Sequence, residues 1–158
     1  MKCDYIFGYG TLVNDKSRYK TLGNKSGNRK TKRNIPGYID KKYGYNKKYN
    51  VTHKRGVALG LEYNTDKSKD ISGLLFKVTK KDLNNLSRRE KYYRLKRVPS
   101  KYFRTKTGRK CNTLKNICTF IPKRTSQLSK TSKNNKNITK EYKNIVSDGF
   151  QDYDMPIF

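Results

Sequence analysis

The amino-acid sequence predicts a single α+β domain over residues 1–158, and three observations carry that prediction. Residues 57–63 alternate large apolar side chains with small or polar ones, the two-residue period of a strand. Residues 83–93 place apolar side chains at helical spacing instead. Several short apolar runs elsewhere are bounded by Gly, Asn and Asp, as strands are. With 158 residues, 32% of them hydrophobic, the chain can bury one ordinary core without disulfides or a structural metal.

The elements follow in order. Cys3 to Phe7 is a short apolar run ending at Gly8, a strand that delivers the chain into a glycine-containing turn. Thr21 to Arg33 is polar, carries Gly23 and Gly27, and reads as a loop. Pro36-Gly37 opens a Tyr-rich, strand-like stretch to Tyr49. Val57, Leu59, Leu61 and Tyr63 form one face of the next strand, with Ala58, Gly60 and Glu62 on the other. Asn64 to Asp70 is a polar turn and Ile71 to Val78 a second strand, so the two are expected to pair as a hairpin. Thr79 caps a helix from Lys80, with Asp82 completing a shortened capping box. At about 100° per residue, Leu83, Leu86, Glu90 and Tyr93 share one side of that helix, and Glu90 stands mid-face, directed at the core. Val98 to Phe103 and Leu114 to Ile121 read as strands, and Lys123 to Asn137 as a flexible basic linker. Ile138, Tyr142, Ile145 and Val146 make a last helical stripe, closed by Gly149.

Charge and composition narrow the function. The 39 Lys and Arg against 12 Asp and Glu give a formal charge of +27, so no acidic docking surface is available. The basic residues are scattered and travel with Asn, as at Lys133, Asn134, Asn135, Lys136 and Asn137, which reads as a solvated surface binding nucleic acid non-specifically at low salt. Cys3, Cys111 and Cys118 lack CxxC spacing and His53 is the sole histidine, which argues against structural zinc and against a Ser-His-Asp triad. Cys111 and Cys118 read as buried strand thiols and His53 as a loop residue. No signal peptide is visible, and no run approaches the roughly 20 apolar residues of a membrane span. A soluble, reducing, cytoplasmic setting is the expectation, with no membrane partner.

Two features carry chemistry. In Phe7-Gly8-Tyr9-Gly10-Thr11-Leu12, directly after a strand, glycines let backbone N–H groups approach a bound anion, although Val13 breaks the dinucleotide fingerprint and no G-K-[ST] follows; the alternative is an ordinary tight turn. Glu90, one of only three glutamates, is the other. A carboxylate on a buried face either pairs with a cation such as Arg88, Arg89 or Arg94, which lowers its pKa, or keeps a raised pKa and suits a general base. Glu62 reads as a rim charge or as a second carboxylate near a site, and Glu141 as a favourable charge in the first turn of the last helix.

Together these residues resemble the γ-glutamylcyclotransferase-like family. Tyr5 to Leu12 is similar to its Y-G-[ST]-[LN] signature. Ile71 to Thr79, Asp82-Leu83 and Leu86-Ser-Arg-Arg-Glu90 resemble the strand and helix bearing its catalytic glutamate, and Lys140 to Val146 with Gly149 and Met155-Pro156 its last helix. The resemblance implies a small mixed β-barrel with flanking helices and a cofactor-free, metal-free enzyme. A γ-glutamyl group's α-amine would attack its own γ-carbonyl, giving 5-oxoproline and a released amine, amino acid or peptide, the lyase or acyltransferase chemistry known for glutathione and related compounds. It further implies Glu90 as acid/base, Gly8, Tyr9, Gly10, Thr11 and Leu12 as the substrate-binding loop, and Tyr142 as a substrate contact. Thr11 stands where serine is commoner. Leu12 in place of asparagine leaves the leaving group open, and Tyr153-Asp-Met155 departs from the family's Gly-Leu. The alternative is a non-enzymatic basic module of the same fold that binds nucleic acid or another polyanion.

Overall fold

The structure, a computed structural model, describes residues 1–23, 34–53, 56–127 and 138–158. Its centre is β1 (Tyr5–Gly8), paired antiparallel with β5 (Ile71–Lys77) and parallel with β8 (Ile117–Pro122), so that Phe7 lies opposite both Leu75 and Thr119. Beyond them lie β2 (Asn34–Ile39), β6 (Tyr93–Val98) and β7 (Phe103–Thr105), completing a mixed sheet in the order β6-β8-β1-β5-β2-β7. Ile71 to Phe76 and Ile117 to Pro122 are buried throughout, as strands covered on both faces must be. A separate hairpin joins β3 (Tyr45–His53) to β4 (Gly56–Tyr63). The class is α+β. The strand ladders among the described residues are those of an open sheet plus a hairpin, and none closes them into the barrel that the resemblance implied.

The expected pairing of 57–63 with 71–78 does not occur. The segment after β4, which includes a 3-10 turn at Thr65–Lys67, carries the chain from one sheet into the other, where β5 is satisfied on both edges by β1 and β2. Nor is one face of β4 open: Ala58 is buried along with Val57, Leu59 and Leu61. The stretch read as a strand from Val98 to Phe103 is the end of β6, a 3-10 turn at Ser100–Tyr102 and the start of β7; Pro99, which cannot donate to a ladder, stands at the break. His53 closes β3 rather than sitting in a loop, with its ring 6.0 Å from that of Tyr92.

Three helices lie among the described residues: α1 (Asp15–Leu22), α2 (Lys80–Arg89) and α3 (Lys140–Asp152). The capping box of α2 forms as its sequence requires, with Asp82 N–H donating to Thr79 Oγ1 at 3.1 Å and Thr79 N–H donating to Asp82 Oδ2 at 3.0 Å. Helix α1 has no apolar stripe and is held by polar groups instead. The Asn14 side chain accepts from Ser17 N–H, while buried Arg18 donates to Leu12 O at 2.7 Å and to Asp15 Oδ1 at 2.6 Å. Gly149 does not end α3, which runs on to Asp152. It is a point of close approach, since a methyl group there would come within 2.7 Å of Asn14 N. The helix thereby packs tightly on the turn that follows β1.

Lys47 fastens the final residues to this core. Its ammonium donates to Ser72 O and Ser72 Oγ at 2.9 Å and to Ile157 O, over the face of Phe150, and burial pushes it well below the ordinary lysine range. Of the segment read as a linker, Arg124–Ser126 forms a 3-10 turn with Ser126 buried, and residues 128–137 lie outside the described residues, as do 24–33 of the segment read as a loop. No helix among the described residues is long and apolar enough to cross a membrane.

Cys118 is not a thiol: it is joined to Cys3 in a disulfide, which the parallel pairing of β1 with β8 makes possible by bringing the two together across 115 residues of sequence. Cys111 is free, half-buried and outside the strands. Thiol titration of the denatured, unreduced protein is therefore expected to count one reactive sulfhydryl per chain, and a count of three would contradict the pairing.

Candidate functional site

The residues after β1 form the floor of a cleft. Gly8 ends the strand, Tyr9 turns inward and is anchored by its hydroxyl, which donates to Phe120 O at 2.5 Å, and Gly10 leads into a 3-10 turn at Thr11–Val13. Only Val13 and Asn14 donate back into this turn, to Gly10 O and Thr11 O. The N–H groups of Gly10, Thr11 and Leu12 have no protein acceptor among the described residues. Gly10 also lies close to the last helix: a methyl group there would come within 3.3 Å of the Tyr142 hydroxyl.

Glu90 faces this floor from the end of α2. The helix stops at Arg89, four residues short of Tyr93, yet Glu90 N–H still donates to Leu86 O at 2.8 Å and so keeps the direction of fully buried Leu86. Tyr93 N–H then donates to Glu90 O, and the chain turns into β6. Tyr93 thus belongs to a strand rather than to the helix face, but it lines the same cleft. The Glu90 side chain retains 15% of its exposure, enough to be reached and too little to be well solvated.

The cleft, open to solvent on one side, offers a cavity of about 30 Å³ between Gly8 to Leu12, Leu59, Glu90, Tyr93, Phe120 and Tyr142. Gly8, Tyr9, Gly10, Thr11, Leu12, Glu90 and Tyr142 all line this cleft, although the loop, the acid and the last helix lie far apart along the chain. A wider basin of about 360 Å³ adjoins it, sharing Thr11, Glu90, Tyr93 and Tyr142 and lined also by His53, Tyr92 and Glu141. Glu62 lies elsewhere, half-exposed and 3.1 Å from Lys48 Nζ, so it is a rim charge.

The electrostatics single out Glu90. Burial raises its pKa, and the Arg89 guanidinium, with Nε 3.4 Å from Oε1, opposes that rise without cancelling it. Of the cations proposed from sequence, Arg88 turns instead to Asn84 and Asn85. Burial also raises the phenols of Tyr9, Tyr93 and Tyr142, which stay neutral donors and acceptors at ordinary pH. Their bonds differ. Tyr9 and Tyr93 spend their O–H groups on Phe120 O and Leu59 O, whereas Tyr142 accepts from Leu59 N–H at 2.9 Å and keeps its own proton to give. Leu59 and Tyr9's hydroxyl are parts of the site for which sequence reasoning had no role, and Arg89 was one of three candidate partners of Glu90 that nothing in the sequence separates. No group of three or more His, Cys, Asp or Glu side chains among the described residues could hold a metal ion.

No protein-family model matches the chain, and no curated protein matches its sequence. Solved structures do match. A structure described as gamma-glutamyl cyclotransferase superposes with a TM-score of 0.68 at 14% identity, over 99% of this chain and 83% of that one. YkqA from Bacillus subtilis gives 0.67 at 15% identity over 96% of this chain, which spans 49% of YkqA, about half its length. An uncharacterized protein from Homo sapiens gives 0.65 at 15% identity, over 97% and 81%. The chain shares the fold of a gamma-glutamyl cyclotransferase.

The raised pKa of Glu90 has a consequence for stability. The folded chain holds that proton more tightly than the unfolded chain does, so the stability this group contributes is fully present below the unfolded carboxylate value of ~4.3 and is lost as pH rises through the folded value. Glu90→Gln removes the ionisation. Its Tm is expected to exceed that of the wild type at pH 7.5 and to approach it at pH 4, by calorimetry; a variant less stable than the wild type at pH 7.5 would contradict the burial argument.

Proposed function

We propose that the chain is a γ-glutamylcyclotransferase, and the observation that carries the reading is a desolvated carboxylate facing a loop of unpaired N–H groups across one small cleft. The fold it shares with a gamma-glutamyl cyclotransferase supports the same reading. A substrate that brings its own nucleophile needs from the protein a base, a cradle and confinement. Glu90 accepts a proton from the substrate's α-ammonium, and the freed amine attacks the γ-carbonyl carbon. The new C–N bond closes the five-membered ring, and Glu90 returns the proton to the departing nitrogen as the old C–N bond breaks. Glu90 then takes the second proton from the ring nitrogen and passes it to the released amine, which leaves as an ammonium. The products are 5-oxoproline and an amine, amino acid or peptide.

The raised pKa suits this double duty, because a carboxylate of ordinary acidity is a weak base for an ammonium and gives up its proton to water too readily to have it at hand for the departing nitrogen. The N–H groups of Gly10, Thr11 and Leu12 are available to the α-carboxylate and to the oxygen on which charge develops. Tyr142 adds a donor whose oxygen is already fixed by Leu59 N–H. The wider basin begins at Glu90, on the side where a departing group must take its proton, and leaves room for it.

Incubation with glutathione, γ-glutamyl amino acids and γ-glutamyl amines is expected to release 5-oxoproline from at least one of them, and Glu90→Gln to lower kcat by about 10²–10⁴-fold. Wild-type turnover by that variant would refute the mechanism, while a wild type that forms no 5-oxoproline from any of the three favours the basic-module alternative. Tyr142→Phe removes one hydrogen bond to a charged group and leaves Leu59 N–H without its acceptor, so it is expected to reduce kcat/KM by roughly 10- to 100-fold and to lower Tm as well. Unchanged steady-state kinetics would remove the Tyr142 hydroxyl from the site.

A further inference from the structure

Arg89 is half-buried beside the cleft, and its donors are divided among three parts of the molecule. One terminal nitrogen donates to Ser17 O at 2.7 Å and to Thr21 Oγ1 at 3.1 Å, both on α1. The other donates to Ser17 Oγ at 2.8 Å and to Thr11 Oγ1, in the loop, at 3.0 Å. Nε lies 3.4 Å from Glu90 Oε1. A guanidinium carries five N–H donors in a rigid plane; the four on the terminal nitrogens are engaged within the protein, and Nε stands in ion-pair range of Glu90. Arg89 thus touches both the residue that shapes the cradle and the residue that carries the proton.

We infer that Arg89 is the positioning residue of this site, holding the Gly8–Leu12 loop and the Glu90 carboxylate in one frame so that a γ-glutamyl group meets both at once. The inference rests on the cyclotransferase reading for its chemistry, but its geometric content stands without turnover. A planar fork is required because the partners lie on different elements: Thr11 in the loop, Ser17 and Thr21 on α1, and Glu90 next in sequence. Lysine has one nitrogen and would satisfy only some of them. Around Glu90 the other titratable groups are the phenols of Tyr9, Tyr93 and Tyr142, all neutral, so Arg89 is the cation that acts on its titration. Arg18, also on α1, faces Arg89 from behind with like charge.

The test separates position from chemistry. In protein carrying carboxyl-labelled glutamate, the Glu90 resonance is assigned with Glu90→Gln and titrated by NMR, and amide exchange is followed at Gly10, Thr11 and Leu12. Arg89→Gln is expected to move the Glu90 midpoint to higher pH and to speed exchange in the loop. Arg89→Lys should keep the midpoint near that of the wild type while still speeding loop exchange. Thr11→Val, which deletes only one of the bonds and leaves the guanidinium, should speed loop exchange without moving the midpoint, and it serves if Arg89→Gln does not fold. In turnover, Arg89→Gln should lose roughly 10- to 100-fold in kcat, with KM changed far less and the acid limb of the rate profile moved to higher pH. An unchanged Glu90 midpoint in Arg89→Gln, or unchanged loop exchange in Thr11→Val, overturns the assignment whether or not 5-oxoproline is formed. The expected shifts in a protein that turns nothing over would uphold the positioning and refute the cyclotransferase reading instead.

Discussion

A carboxylate kept out of water without a full counter-charge is costly, and the structure around Glu90 is organised to hold one there. The last backbone bond of α2 directs the side chain along the line of Leu86, and the turn into β6 follows at once. Position at the carbonyl end of a helix disfavours the anion further. Arg89 tempers these effects from 3.4 Å, and the surrounding phenols add no charge. The outcome is a group that can both take and return a proton, at the expense of stability near neutral pH, as is common where a fold is shaped by its chemistry.

That acid becomes useful only because distant segments arrive beside it. β1, paired on both edges, fixes where the loop begins. Arg18 draws Leu12 O toward α1, and Gly149 lets α3 press against the residue following the turn, which carries Tyr142 to within hydrogen-bonding distance of Leu59. Leu59 comes from the β3–β4 hairpin and binds two tyrosines through its backbone, so the second sheet forms a wall of the cleft rather than an appendage. The loop, hairpin, α2 and α3 each supply one side of the cleft.

How much of this was legible in the sequence depends on whether local chemistry or tertiary packing decided each feature. The capping box at Thr79 and Asp82, the strand ending at Gly8 and the inward direction of Glu90 are local, and they could be read. Helix α1 could not, because it has no apolar stripe; buried Arg18 and the Asn14 cap hold it. The pairing of β4 was misassigned because a polar turn between two apolar runs signals a hairpin without showing whether the chain changes sheets. Gly149 reads equally as a helix end or a close approach until its neighbour is known, and the Cys3–Cys118 bond requires knowing that β1 and β8 are adjacent. Arg89 is the clearest case. One among 39 basic residues, it is set apart only by where its neighbours Thr11, Ser17 and Thr21 lie in space.

The central claim is that the Gly8–Leu12 loop and Glu90 together form a seat for a five-membered lactam carboxylate. Titration of the isotopically labelled chain with 5-oxoproline, the product itself, tests this directly by amide chemical shifts. Saturable shifts concentrated at Gly10, Thr11, Leu12, Leu59 and Glu90 are the result the account predicts. Saturable shifts confined to other surfaces, with these amides unmoved, would contradict it.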